Sequence, residues 1–87
     1  MTQVAIVEDN RTIRESLIEF LQADPEFHCV CACATAEEAL KELPKHGPEI
    51  ILMDIQLPKL SGIDCAAQLK QSLPSAQIIM VTVYEDT

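Results

Sequence analysis

The chain is poor in aromatic residues, in glycine and in basic side chains. Its 87 residues contain no Trp, two Phe (Phe20 and Phe27) and one Tyr (Tyr84). With so few aromatics and no phosphate-cradling loop, a flavin-type cofactor binder is disfavoured. Glycine occurs only at Gly47 and Gly62, and the first apolar run is followed by Glu8-Asp9-Asn10-Arg11. That segment is no Gly-rich phosphate loop, which disfavours nucleotide binding of that type. Six bases stand against fourteen acids, a formal charge of -8. Such a balance repels a phosphate backbone, so nucleic-acid binding by this segment is excluded. No run approaches the roughly 20 apolar residues of a membrane span, and the start MTQVAIVEDN is no signal peptide. A cytoplasmic location with no membrane partner is the expectation. A G-x-S-x-G elbow is also missing, and neither His28 nor His46 lies near a candidate nucleophile in sequence.

What the chain does have is apolar content. Apolar residues make up 48% of it, too many for the acidic excess to signal disorder. The length fits one domain, and a fold this short buries only roughly 60–65% of the surface of its extended chain, so the core must be efficient. Four cysteines are present, at Cys29, Cys31, Cys33 and Cys65. The first three alternate in FHCVCACA, which reads as a strand with Cys29, Cys31 and Cys33 on one face. Neighbours on one strand face are poorly placed for mutual bridging, and C-x-C-x-C lacks the C-x-x-C pairs of zinc sites. They read as small hydrophobic filler.

Four apolar runs punctuate the chain: Val4 to Val7, Cys29 to Ala34, Ile50 to Met53 and Ile78 to Val81. The first, third and fourth do not alternate, as expected of strands covered on both faces of a parallel sheet. Helical spacing lies between them. Ile13, Leu17, Phe20 and Leu21 make one stripe; Ala36, Ala39, Leu40 and Leu43 a second; Ala66, Leu69 and Leu73 a third. Thr35-Ala36-Glu37-Glu38 reads as a capping box. Pro25, Pro44, Pro48, Pro58 and Pro74 are all expected between elements, and Gly47 in the turn before the third strand. Strand and helix thus alternate three times before a last strand, which specifies a doubly wound parallel α/β sheet with right-handed crossovers.

Ligands of open parallel sheets bind beyond the carboxyl ends of the strands. Here the first strand ends in Glu8-Asp9, the third in Asp54 and the fourth in Thr82. Any one of these acids reads as a solvated loop residue; three on two strands, with a hydroxyl on the next, do not. If the first and third strands are neighbours, the carboxylates converge, and crowded like charges call for a cation. A hard, oxygen-ligated ion, Mg²⁺ above all, answers that need. An aspartate beside a divalent ion suits Asp54 as a phosphoryl acceptor.

The strings VAIVEDN, IILMDIQLPKLSGID and IIMVTVYED, in register over the whole chain, resemble the receiver domain of two-component response regulators. The resemblance implies the flavodoxin-like receiver fold, with strand order 2-1-3-4 for the strands present. It makes Asp54 the phosphorylated residue and Asp9 an Mg²⁺ ligand, with Glu8 assisting through water and the Gln56 backbone carbonyl completing the protein ligands. Thr82 becomes the switch hydroxyl, and Pro58 and Gly62 match the family's Pro-x-x-x-Gly loop. Lys59, in that loop, reads as a solvated lysine. The VTVYED ending is most similar to the NarL/FixJ (LuxR-type) subgroup, whose output is a helix-turn-helix DNA-binding domain. The implied partners are a histidine kinase or phosphotransfer protein and such an output domain outside this chain. The implied chemistry is that of a phosphoacceptor with at most self-catalysed phosphotransfer and dephosphorylation, rather than that of an enzyme.

By the same resemblance, residues 1–87 are a single receiver domain ending before helix four, strand five with its lysine, and helix five. The fourth strand, Ile78 to Tyr84, would then be an exposed edge able to pair with a second copy. The alternative from the same residues is a non-phosphorylated interaction or dimerisation module whose acidic pocket only binds a cation.

Overall fold

The computed structural model describes residues 1–81. The apolar runs become strands and the striped segments become helices, in the order β1 (Thr2–Val7), α1 (Arg11–Gln22), β2 (Phe27–Cys33), α2 (Ala36–His46), β3 (Ile50–Asp54), α3 (Gly62–Ser72) and β4 (Gln77–Val81). All pairings are parallel, and the sheet runs β2-β1-β3-β4. Residues 82–87, with Thr82 and the expected end of the fourth strand at Tyr84, lie outside the described residues.

Alternate side chains of each inner strand feed two cores. Ala5, Val7, Ile51 and Met53 point to the face covered by α2 and α3, where Ala36, Ala39, Leu43, Cys65 and Leu69 are buried. Val4 and Ile6 point to the opposite face, where Leu21 of α1 closes over them. Helices on both faces explain why β1 and β3 read as unbroken apolar runs. Thr35 caps α2 as expected, its hydroxyl accepting from the Glu38 amide at 3.1 Å. In α3 the deepest residues are Cys65 and Leu69, with Leu73 packed at the margin and Ala66 half-buried, so a cysteine is the missing member of that stripe.

Four expectations need correction. The fourth apolar run is not covered on both faces: in β4 Ile79 is 48% exposed and no residue is fully buried. Phe20 is 78% exposed and Leu17, Ile18 and Leu21 cover the sheet instead. At 100° per residue, Phe20 and Ile18 flank the Leu17–Leu21 line on opposite sides, and the sheet lies on the Ile18 side. The three cysteines of β2 do not share a face. Val4 pairs with Cys29 but Ala5 pairs with Cys31, so a bulge at Val30 reverses the alternation. Cys29 therefore packs on the α1 side, while Cys31 and Cys33 pack under α2, their sulfurs 3.6 Å apart. Finally, Pro44 lies inside α2 rather than after it. In the last turn it removes a single amide donor, and Gly47 closes the helix in the left-handed region (φ 58°), donating to the Leu43 carbonyl at 3.1 Å.

Candidate functional site

Strand order decides where the acids meet. Val7 pairs with Met53, so the next residues, Glu8 and Asp54, emerge side by side at the carboxyl end of the sheet. The Glu8 amide extends the ladder to the Cys33 carbonyl at 3.0 Å. Carboxylate oxygens of Glu8, Asp9 and Asp54 all lie within 4.8 Å of one another, the one such cluster of His, Cys, Asp and Glu among the described residues. Glu8 is 3% exposed and Asp54 8%, whereas Asp9 sits on the open rim.

The loops around these acids hold them by main-chain contacts. The Asn10 amide donates to Glu8 Oε2 at 3.0 Å, and the Asn10 side chain caps α1 by accepting from the Ile13 amide. The Gln56 amide donates to Asp54 Oδ1 at 3.0 Å, which fixes the direction of that carboxylate. The Gly62 amide reaches the Ile55 carbonyl at 3.0 Å. A Cβ on Gly62 would stand 1.9 Å from the Asp54 carbonyl oxygen, so close approach, rather than an unusual φ, requires glycine there. Between Pro58 and Gly62, Lys59 is held at φ 69° by a Leu60 amide to Pro58 carbonyl bond. Its side chain belongs to an exposed residue, in keeping with a solvated lysine.

Electrostatics mark Glu8 out. Burial pushes its carboxyl up from about 4.5 to about 7, helped by hydrogen bonds to Asp9 and Asp54 and by the Asp54 charge. The Asn10 amide pulls the other way and loses. Three carboxyls therefore share a pocket that is short of positive charge, and every donor is a hard oxygen. That donor set, partly buried and open at Asp9, fits Mg²⁺, which takes one or two carboxylates and keeps several waters.

Glu8, Asp9 and Asp54 are thus brought together, and Gln56 stands beside them. Thr82 lies outside the described residues. His28 falls within β2 and His46 ends α2, neither in the acid cluster. All four thiols are free, and burial pushes those of Cys29, Cys33 and Cys65 up, the last to about 11. Protonated thiols in a core are poor nucleophiles. A cleft of about 310 Å³ between Pro48 and Ala76 opens at the other end of the strands, away from the acids. Sequence reading missed Arg14, whose guanidinium donates to the main-chain carbonyl of Glu8 at 2.9 Å.

Comparison with known proteins agrees with this geometry. The sequence matches the response regulator receiver domain over residues 4–87. It is similar to the transcriptional regulatory protein DegU of Brevibacillus brevis, 31% identical over 84 residues that make up 97% of this chain and 36% of that protein. It is also similar to protein-glutamate methylesterase/protein-glutamine glutaminase 1 of Syntrophus aciditrophicus (strain SB), 34% identical over 87 residues, 100% of this chain and 25% of that protein. The chain spans a quarter to about a third of these relatives' lengths. The crystal structure of a LuxR-family two-component response regulator from Aurantimonas sp. SI85-9A1 superposes with a TM-score of 0.89 at 27% identity, covering 98% of this chain and 61% of that one.

Proposed function

The chain belongs to the response regulator receiver domain family, and from that premise we propose that Asp54 is a phosphoryl acceptor serving a two-component signalling pathway. The observation that carries the reading is the convergence of Glu8, Asp9 and Asp54 within 4.8 Å at the carboxyl end of a parallel sheet. The donor is a histidine kinase or a phosphotransfer protein. An Asp54 carboxylate oxygen attacks the phosphorus, the bond between phosphorus and the donor's imidazole nitrogen breaks, and the electron pair leaves with the imidazole. The Gln56 amide, on Asp54 Oδ1, orients the attacking group.

Asp9, Asp54 and the Gln56 backbone carbonyl would hold Mg²⁺, with Glu8 assisting through water. Mg²⁺ bound there neutralises charge on the transferred group. Glu8, whose carboxyl burial pushes up to about 7, would give up its proton as the pocket gains positive charge. We assign the switch to the Thr82 hydroxyl, which would engage the phosphoryl oxygens. The added charge at the end of β3 would then bias a two-state element read by an output domain. The similarity to DegU and to a LuxR-family regulator supports a helix-turn-helix, DNA-binding output of the NarL/FixJ kind.

Incubation of a chain that includes the family's strand-five lysine with acetyl phosphate and Mg²⁺, followed by intact mass measurement, tests this. A gain of one HPO₃ that disappears in Asp54→Asn and in EDTA is expected. No gain, or a gain that survives the substitution, would defeat the reading; Mg²⁺-dependent stabilisation without transfer would favour a module that only binds a cation.

A further inference from the structure

Arg14 lies one turn into α1, where its amide bonds the Asn10 carbonyl at 2.9 Å. Its half-buried side chain turns back toward the sheet. There Nη1 donates to the carbonyl oxygen of Glu8 at 2.9 Å and, at a longer 3.4 Å, to that of Asp9. These are the two residues whose carboxyl groups converge with Asp54. No carboxylate pairs with Arg14 among the described residues, where the ion pairs are Arg11 with Glu15 and Lys45 with Glu42.

Resting on the proposed phosphoacceptor role, we propose that Arg14 is a positioning residue for the Mg²⁺ pocket, clamping the two consecutive main-chain carbonyls of Glu8 and Asp9 onto α1. Once ionised, the three carboxyl groups repel one another, and the segment between β1 and α1 carries two of them on consecutive residues. Left to itself, that segment would relax outward and spread the acids. A peptide plane fixed by a hydrogen bond also fixes the direction of the Cα–Cβ bond beside it. One guanidinium nitrogen carries two hydrogens in a rigid plane, and so serves both carbonyls at once. Lysine has the charge but not that planar fork.

Charge and position act in opposite directions here, which makes the proposal separable. A cation behind the pocket repels a second cation in it. If Arg14 acted by charge alone, its removal would tighten Mg²⁺ binding. If it acts by holding the loop, removal weakens binding in spite of the lost repulsion. Holding by main-chain contacts is the kind of outer support whose loss costs metal affinity about 10- to 100-fold.

The test is calorimetric Mg²⁺ titration of the whole chain, its Asp9→Asn variant, and Arg14→Lys and Arg14→Gln, with thermal melts of each in EDTA. We expect both Arg14 variants to bind Mg²⁺ about tenfold or more weakly, beyond any difference that their metal-free melts explain. Lys keeps the charge, so a loss there reports geometry. Unchanged or tighter binding in both variants, with or without a lower melt, overturns the role of Arg14 and leaves the phosphoacceptor reading standing. Failure of the unsubstituted chain to bind Mg²⁺, or binding unaffected by Asp9→Asn, removes the Mg²⁺ pocket itself and both proposals with it.

Discussion

Burial and two neighbouring carboxyls keep the Glu8 proton in place to about pH 7, where an ordinary glutamate releases it near 4.5. Between those values the folded protein holds a proton that the unfolded chain has given up. Stability without a divalent cation should therefore fall as pH rises from about 4.5 through 7, with the loss complete above that window. Melting in EDTA from pH 4.5 to 8 checks the sign. Glu8→Gln should flatten the profile and raise stability at pH 8 by of order 1–3 kcal/mol; an equally steep profile in the variant would place the proton elsewhere. The acids themselves were legible in the sequence, because a carboxylate directly after an apolar run marks the end of a strand. Arg14 was not. Its partners are main-chain carbonyls, which every residue has, so no complementary side chain in the sequence points to it. Gly62 was legible only as part of a motif; that its missing Cβ makes room for the Asp54 carbonyl emerges from the packing.

At the scale of elements, periodicity located each strand and helix but not which way each one faced. The α1 stripe contains Phe20 and Leu21, yet only Leu21, 7% exposed, reaches the core. Leu21→Ala should cost about 2–4 kcal/mol, while Phe20→Ala should stay within about 0.5 kcal/mol of the parent, as read from urea unfolding midpoints. Equal costs would mean that α1 is rotated about its axis. Spacing alone left the choice open, since an apolar residue on either side of the Leu17–Leu21 line completes a stripe. The bulge in β2 was hidden for a related reason. Small residues on both faces of Cys29–Cys33 give no contrast from which a reversal of alternation could be read. Pro44 misled because a proline in a helical pattern ordinarily ends the helix, yet in a final turn closed by Gly47 it costs only one donor.

For the whole molecule, the alternation of elements specified a parallel, doubly wound sheet, but no pattern of apolar residues states the order of its strands. The order 2-1-3-4 came through family resemblance, and the pocket depends on it: only β1 beside β3 places Glu8 and Asp9 next to Asp54. Among the described residues no helix is long and apolar enough to cross a membrane. Three of the chain's acidic carboxyls form one cluster at the end of the sheet, the site proposed for a cation. The most direct measurement is to identify the residue that carries the phosphoryl group. An aspartyl phosphate is an acyl phosphate, which borohydride reduces to the alcohol, turning the modified aspartate into homoserine. After reaction with acetyl phosphate and Mg²⁺, borohydride treatment and peptide sequencing by mass spectrometry should find homoserine at position 54 and nowhere else. Homoserine at another acid, or an unmodified Asp54 in protein that has gained HPO₃, would contradict the account.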